Sequence, residues 1–158
     1  IGFKRGLVQS LILMIVAVVM IFFNEDLSAL VNITPIAGFF IITSLAGFAL
    51  TGVQSLSRTM IGAFAPPGKS GEFFGFFGMV GRTSSFIGPF LFGMVANRLT
   101  QVHEASGLAT RAAEQLGHRQ SVFVIAAFLV VGLVLLFWVN EKEGRKVALG
   151  EAAAGSGD

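Results

Sequence analysis

Four long stretches of the sequence are apolar and nearly free of charge, and they alternate with shorter polar segments. They cover about residues 6–23, 36–57, 73–97 and 121–139, and Arg82 is the only Lys, Arg, Asp or Glu inside them. A helix needs about 20 residues to cross a hydrocarbon core of roughly 30 Å. Because the bilayer leaves exposed backbone groups without water, such stretches span it as α-helices. The pattern therefore predicts an all-α integral membrane bundle of four transmembrane helices within residues 1–149.

The composition excludes most other classes of protein. Hydrophobic residues make up 54% of the 158 residues and charged residues only 13%, against about 25% charged residues in an average soluble domain. A soluble enzyme, a nucleic-acid-binding protein and a disordered chain are all poor fits to these values. The chain has no cysteine, and no set of residues converges on a metal or a nucleophile. We expect no enzymatic activity, no cofactor, no metal and no nucleic-acid partner.

The basic residues between the spans predict the orientation of the bundle. Four crossings place seven lysines and arginines on one side of the membrane and three on the other, which favours the first side as cytoplasmic. The first group is Lys4, Arg5, Arg58, Lys69, Lys142, Arg145 and Lys146, and the second is Arg98, Arg111 and Arg119. Both ends of the chain are then cytoplasmic, and we expect a multi-pass protein of a bacterial cytoplasmic membrane.

The connections between the spans differ in length. Residues 65–71 form a tight inner turn, because paired prolines end a helix and a glycine permits the reversal. Residues 100–120 form a longer outer loop with a short helix at about residues 108–116. The small, polar residues 150–158 predict a flexible cytoplasmic tail.

The second span carries polar side chains along one helical face. At 100° per residue, its polar and small side chains fall on one side, and its aliphatic side chains fall on the other. The polar face consists of Ser44, Gly47, Thr51, Gln54, Arg58 and Gly62. Two interpretations remain open, because such a face can line a solute cavity or form hydrogen bonds with neighbouring helices. Under the first interpretation, Thr51 and Gln54 line the cavity.

The third span carries small residues along one face, which is typical of close helix packing in membranes. The packing residues are Gly78, Gly81, Ser85 and Gly88, and the adjacent Pro89 predicts a bend. Arg82 lies on the same face. An arginine near the bilayer centre costs about 2.5–3.5 kcal/mol, so Arg82 is expected to face protein or water rather than lipid. A solute contact is one role for it, and a structural pair or a side chain that reaches the membrane surface is the other.

Arg58 ends the second span and Glu72 begins the third, on opposite sides of the short inner turn. We predict that they form a charge pair that holds a cytoplasmic gate in one state. The alternative is two unrelated charges at the membrane interface.

Four motifs in this order resemble the major facilitator superfamily, and more narrowly the vacuole-effluxer-like permeases, also called the unknown major facilitator family. The motifs are Gly-Val-Gln-Ser-Leu-Ser-Arg at 52–58, Ala-Pro-Pro-Gly at 65–68, Glu-Phe-Phe-Gly at 72–75 and Gly-Pro-Phe-Leu-Phe-Gly at 88–93. The resemblance is strong from Thr51 to Gly93 and rests on hydropathy elsewhere.

This resemblance implies the C-terminal part of a twelve-helix major facilitator fold. In that family the tenth helix lines the central cavity, the eleventh lies at the domain interface, and the ninth and twelfth face lipid. The solute binds between two six-helix halves that rock to alternate access. The implied function is secondary active transport of a small solute, with amino acids among the candidates. The partners are the lipid bilayer, the solute and the remaining N-terminal helices, and we expect this chain, which begins at Ile1, to be a fragment.

Two alternatives to a permease remain. One is a small four-helix membrane subunit or anchor with no transport activity of its own. The other is a small multidrug exporter that works as a dimer, although such exporters usually carry a glutamate within the membrane and no glutamate lies within a span here.

Overall fold

The computed structural model describes the backbone of residues 2–155 and the side chains of residues 2–150. The described chain is helical, with short connections. The helices are α1 (Phe3–Phe22), α2 (Asn24–Leu30), α3 (Pro35–Phe64), α4 (Ser70–Ala105), α5 (Thr110–Trp138) and α6 (Glu141–Gly155). Helices α1, α3 and α5 are long and apolar enough to cross a membrane. The prediction of an all-α fold is therefore confirmed for the described residues, and three of the helices fit a membrane by length and composition.

The fourth predicted span differs from the other three. Helix α4 has 36 residues and is long enough to cross, but its six glycines, its hydroxyl side chains and Arg82 make it less apolar than α1, α3 and α5. The structure therefore supports three crossings by length and composition. A crossing by α4 remains a prediction.

The helix ends correct several predicted boundaries. The expected outer loop of residues 100–120 is reduced to residues 106–109, and the predicted short helix at 108–116 is instead the first part of α5. Gly107 makes the tight connection with a φ of 93°, a backbone conformation that residues with a side chain rarely adopt. A charge-free stretch marks only the part of a helix suited to lipid, whereas backbone hydrogen bonding continues through its polar ends.

Helix α6 extends into the segment that the sequence predicts to be a flexible tail, and the flexibility of that segment stays a prediction. Helix α6 continues to Gly155, so residues 150–155 are helical, in keeping with the strong helix propensity of alanine and glutamate. The remainder of the predicted tail, residues 156–158, lies outside the described residues.

Local sequence sets both ends of α3. Thr34 precedes Pro35, and the Thr34 hydroxyl accepts a hydrogen bond from the Ala37 amide at 3.3 Å. The helix ends at Phe64, ahead of the two prolines. Gly68 then reverses the chain with a φ of 84°, which confirms the predicted tight turn, although α4 already begins at Ser70 and the membrane side of the turn stays a prediction.

The long helices pack in the order α3, α1, α5, α4. Helix α1 packs on α3 through Gly52, where an added Cβ would lie 2.6 Å from the Ser10 hydroxyl. On its other side, the ring centroids of Phe22 in α1 and Phe123 in α5 are 4.5 Å apart. Helix α5 packs on α4 through Gly117. Helices α3 and α4, which the sequence predicts to carry the functional side chains, therefore lie at the two ends of this row.

Hydrogen bonds join the start of α1 to the end of α5 and the start of α6. The Glu141 carboxylate accepts hydrogen bonds from the amides of Phe3 and Lys4 at 3.2 and 3.0 Å, at the start of α1. In return, the Lys4 ammonium donates to the carbonyls of Phe137 and Val139 at 3.0 and 2.6 Å, at the end of α5. Each charge thus satisfies backbone groups that the helix end leaves without partners.

The opposite end has a second connection. The Arg119 guanidinium of α5 donates to the Phe22 carbonyl at 2.9 Å and to Glu25 at 3.0 Å, and it lies 5.0 Å from the centre of the Phe22 ring. Helices α1 and α5 are therefore fastened to each other at both ends.

Candidate functional site

The two faces of α3 differ in exposure. The polar face predicted from the sequence is exposed at every position, whereas Leu45, Ala49, Val53, Leu56 and Met60 on the opposite face are buried or half-buried. The apolar face is the one that packs against α1, since Leu56 lies next to Gly6. The polar face is therefore turned away from α1, and among its residues Gly62 lies next to another helix, where an added Cβ would be 3.7 Å from the Phe74 ring of α4.

Most hydroxyls on the polar side of α3 bond to their own helix. Thr51 donates to the Gly47 carbonyl at 3.0 Å, and Ser44 donates to the Phe40 carbonyl at 2.7 Å. Gln54 and Arg58 form no side-chain hydrogen bond or ion pair within the part of the chain that the structure describes. An amide and a guanidinium are therefore available for a ligand, for water or for a neighbouring helix.

Thr51, Gln54 and Arg58 line one shallow cavity of about 460 Å³ on the exposed side of α3, together with Ser55 and Thr59. This cavity brings together two of the three predicted solute-contact residues. It also includes Arg58, which the sequence assigns to a gate.

Arg82 lies in a different cavity. This second cavity measures about 470 Å³ and is formed by α4 alone, where Gly75, Gly78 and Thr83 surround Arg82. The structure thus places Arg82 on an exposed surface and does not bring it into the cavity of Thr51 and Gln54.

The small-residue face of α4 has no packing partner within the described chain. A Cβ added at Gly78, Gly81 or Gly88 would meet no atom within 4 Å, and the Ser85 hydroxyl bonds back to the Gly81 carbonyl at 2.9 Å. From residue 70 to residue 87, every α4 residue except the half-buried Phe77 is exposed. The packing role predicted for these residues is therefore not fulfilled by the helices present here, and it remains a prediction for helices outside the chain.

Close helix packing within this chain occurs at other glycines, Gly117 and Gly38. A Cβ at Gly117 would lie 2.5 Å from the Thr100 hydroxyl, and one at Gly38 would collide with the Ser28 hydroxyl. Sequence reasoning overlooked both. A usable signal was present for Gly117, because Ala113, Gly117 and Ser121 repeat small residues every four positions, and all three are buried.

Gly88 and Pro89 lie beside a groove between α4 and α5. The groove has a volume of about 600 Å³, and its lining is almost entirely apolar, with Phe92 from α4 and Ile125 and Phe128 from α5. It carries too few polar groups to orient a polar solute, and an apolar chain is the kind of molecule that fits it.

The predicted pair of Arg58 and Glu72 is not formed in this arrangement. Arg119 forms ion pairs within 4.0 Å with Glu25 and Asp26, whereas no such pair joins Arg58 to Glu72 within the described chain. Glu72 lies in the first turn of α4, where the helix dipole stabilises a negatively charged carboxylate. Pairing with Arg58 in another conformation stays a prediction.

Comparison with known proteins supplies the family. The model of the family described as "Vacuole effluxer Atg22 like" matches residues 9–149. The chain belongs to this Atg22-like family. The resemblance inferred from the sequence motifs is confirmed, and the match extends well beyond residues 51–93, where the motifs are concentrated.

Individual relatives agree with the Atg22-like assignment. Autophagy-related protein 22 of Pichia angusta is 30% identical over 65% of this chain and 19% of its own length. Autophagy-related protein 22 of Saccharomyces cerevisiae is 27% identical over 69% of this chain and 18% of its own length. A Bacillus subtilis protein described as an uncharacterized MFS-type transporter, YxiO, is 28% identical over 70% of this chain and 22% of its own length. No solved structure matches the chain.

The chain spans about one fifth of the length of these Atg22-like relatives. They come from fungi and from a bacterium, so the expectation of a bacterial membrane stays a prediction.

Proposed function

We propose that this chain forms part of a secondary active transporter that moves a small solute by alternating access. The observation that carries the proposal is the exposed polar face of α3. Polar groups left without partners in hydrocarbon cost several kcal/mol, so this face must meet water, solute or other protein once α3 crosses a membrane. The family description names an effluxer, and one relative is described as an MFS-type transporter. Both names point to transport rather than catalysis.

In this proposal Thr51 and Gln54 of α3 and Arg82 of α4 contact the solute. Helices outside this chain would cover α4 and complete the cavity, with Gly78, Gly81, Ser85 and Gly88 as the surface on which they pack. The open space beside these residues supports such a role, because small residues allow helix backbones to approach closely.

An amino acid suits the proposed cavity. A guanidinium binds a carboxylate through two parallel hydrogen bonds, and a glutamine amide and a threonine hydroxyl add donors and acceptors for an ammonium group. Arg58 already shares a cavity with Gln54 and Thr51, and Arg82 would join them when α3 and α4 are brought together in the complete protein.

Transport by the assembled protein in liposomes tests the proposal, with radiolabelled amino acids as the first panel of solutes. Gln54→Leu and Arg82→Leu are each expected to slow uptake about tenfold, because a lost hydrogen bond to a charged group is worth about 1.5–3 kcal/mol. The matched controls are Gln101→Leu and Arg98→Leu, which change the same residue types at exposed positions of α4 outside both cavities.

Equal uptake by Gln54→Leu, Arg82→Leu and the controls would show that these side chains do not line the solute path. If no tested solute moves faster than in protein-free liposomes, the alternative of a membrane subunit or anchor is favoured instead.

The gate pair has its own test in the same assay. Arg58→Glu and Glu72→Arg are each expected to reduce the uptake rate about fivefold, since each places two like charges on opposite sides of the inner turn. The double variant restores the opposite charges and should recover most of the rate. A double variant no faster than either single variant would contradict the pairing.

A further inference from the structure

A basic cavity lies where α1 begins and α5 passes into α6. Its volume is about 660 Å³, and its lining includes Lys4 and Arg5 of α1, Trp138 of α5, and Lys142 and Arg145 of α6. We refer to it as the basic cavity. It is separate from the cavities of Gln54 and Arg82, and the proposed transport function leaves it unused.

The charge of the basic cavity is strongly positive. Four cationic side chains line it and one carboxylate, Glu141, opposes them. That carboxylate already accepts hydrogen bonds from two backbone amides of α1. The Lys4 ammonium is likewise held by two carbonyls of α5. Arg5, Lys142 and Arg145 are exposed and form no hydrogen bond or ion pair within residues 2–150. Their donors are available to an anion.

Helix α6 holds two of these cations in place. Its inner face packs on the end of α3, where a Cβ at Gly144 would lie 3.2 Å from the Phe64 ring, and Ala148 on the same face is buried. Lys142 and Arg145 are three residues apart and lie on the exposed side of α6 next to this packed face, so both reach the same surface. The packing of α6 therefore leaves Lys142 and Arg145 on the side of the helix that lines the basic cavity.

One wall of the basic cavity is apolar and is formed by the end of a helix that fits a membrane. Phe137 and Trp138 end α5, which is long and apolar enough to span a bilayer, and their exposed fractions are 60% and 80%. Tryptophan is enriched at the level of lipid headgroups, because its ring is apolar and its N–H is polar. In a bilayer that α5 spans, the cavity would therefore join the headgroup region to the hydrocarbon region.

We propose that the basic cavity binds the headgroup of an anionic phospholipid, with Arg5, Lys142 and Arg145 around the phosphate and the acyl chains along Phe137 and Trp138. A free phosphate shares the headgroup's chemistry, but it makes no use of the apolar wall. This end also carries the basic residues that predict the cytoplasmic side, and anionic lipids are concentrated in the cytoplasmic leaflet. The site requires no transport activity.

Trp138 is the only tryptophan of the chain, so its fluorescence reports on the basic cavity directly. The chain is placed in phosphatidylcholine nanodiscs that contain a small fraction of brominated phosphatidylglycerol or, in parallel, brominated phosphatidylcholine. We expect brominated phosphatidylglycerol to quench the fluorescence of Trp138 at a much lower mole fraction than brominated phosphatidylcholine does. Arg5→Gln with Arg145→Gln should weaken this apparent affinity about 25-fold, because each surface cation contributes roughly fivefold. The double variant leaves Lys4 and Glu141 in place, and circular dichroism checks that its helix content is unchanged.

The matched control is Arg98→Gln with Arg111→Gln, which removes two exposed arginines from the other end of the helices and should leave quenching unchanged. Equal quenching by the two brominated lipids would overturn the proposal. An equal loss of apparent affinity for phosphatidylglycerol in the two double variants would also overturn it. An excess of inorganic phosphate provides the last arm. Persistent preference for phosphatidylglycerol supports a lipid site, whereas abolition of the preference by phosphate would mean a free-anion site and would also overturn the proposal.

Discussion

Gly117→Leu is expected to lower the free energy of unfolding by about 3 kcal/mol, the upper end for overpacking a tight interface. Gly117 is buried where α5 crosses α4. A Cβ at this position would lie 2.5 Å from the Thr100 hydroxyl and 3.0 Å from both the Ala96 carbonyl oxygen and the Thr100 amide nitrogen. The hydroxyl can rotate, but the two backbone atoms belong to α4 and cannot move alone. Leucine must therefore separate α4 from α5.

Denaturant titration of the chain in detergent micelles, followed by circular dichroism, measures this change. Gly132→Leu is the matched control, because Gly132 lies on the same helix and a Cβ there meets nothing within 4 Å. The control should be neutral or slightly stabilising, since glycine is a poor helix former. If both variants unfold at the same denaturant concentration, close packing at Gly117 does not hold α4 to α5.

Periodicity was sufficient to predict which side of α3 is buried. Ala49 and Leu56 fall on one face and Thr51 and Gln54 on the other, and the structure buries or half-buries the first pair and exposes the second. This prediction needs only the geometry of one helix, because side chains repeat on a face every three to four residues. Long apolar stretches are equally local, and three of the four predicted spans correspond to helices able to cross a membrane.

Small residues were harder to interpret, because a glycine face says that a helix can be approached closely but not by which neighbour. The glycines of α4 form a longer pattern than those of α5, yet Gly78 and Gly81 face open space, whereas Gly117 lies against α4. A partner outside the chain and a partner inside it leave the same pattern in the sequence. Only the three-dimensional arrangement separates the two.

The hydrogen bonds that connect the helix ends could not be predicted from the sequence either. Arg119 bonds to a carbonyl 97 residues away, and Glu141 bonds to an amide 138 residues away. The acceptor or donor on the other side is a backbone group, which every residue has. No pairing of residue types therefore marks these contacts, and both charges resembled ordinary solvated residues at the membrane surface.

Arg119→Ala is expected to lower the free energy of unfolding by about 2 kcal/mol, mainly through its contacts with Phe22. The Phe22 carbonyl lies at the end of α1, where the helix supplies no donor, and the Arg119 Nε donates to it at 2.9 Å. A hydrogen bond from a charged group contributes about 1.5–3 kcal/mol, and a guanidinium over an aromatic ring adds about 0.5–1 kcal/mol. The carboxylates contribute less, because the side chains of Glu25 and Asp26 are 72% and 76% exposed.

The same denaturant titration separates these contributions. Glu25→Ala and Asp26→Ala should each change the free energy of unfolding by less than about 0.5 kcal/mol, because exposed ion pairs are weak. Arg111→Ala is the control, since Arg111 is an exposed arginine on α5 outside every ion pair of the described chain. If Glu25→Ala lowers the free energy of unfolding as much as Arg119→Ala does, the stabilisation comes from the ion pair of Arg119 with Glu25 instead. Equal stability of Arg119→Ala and Arg111→Ala would mean that α1 and α5 are held by their apolar contacts, such as that of Phe22 with Phe123, and not by this arginine.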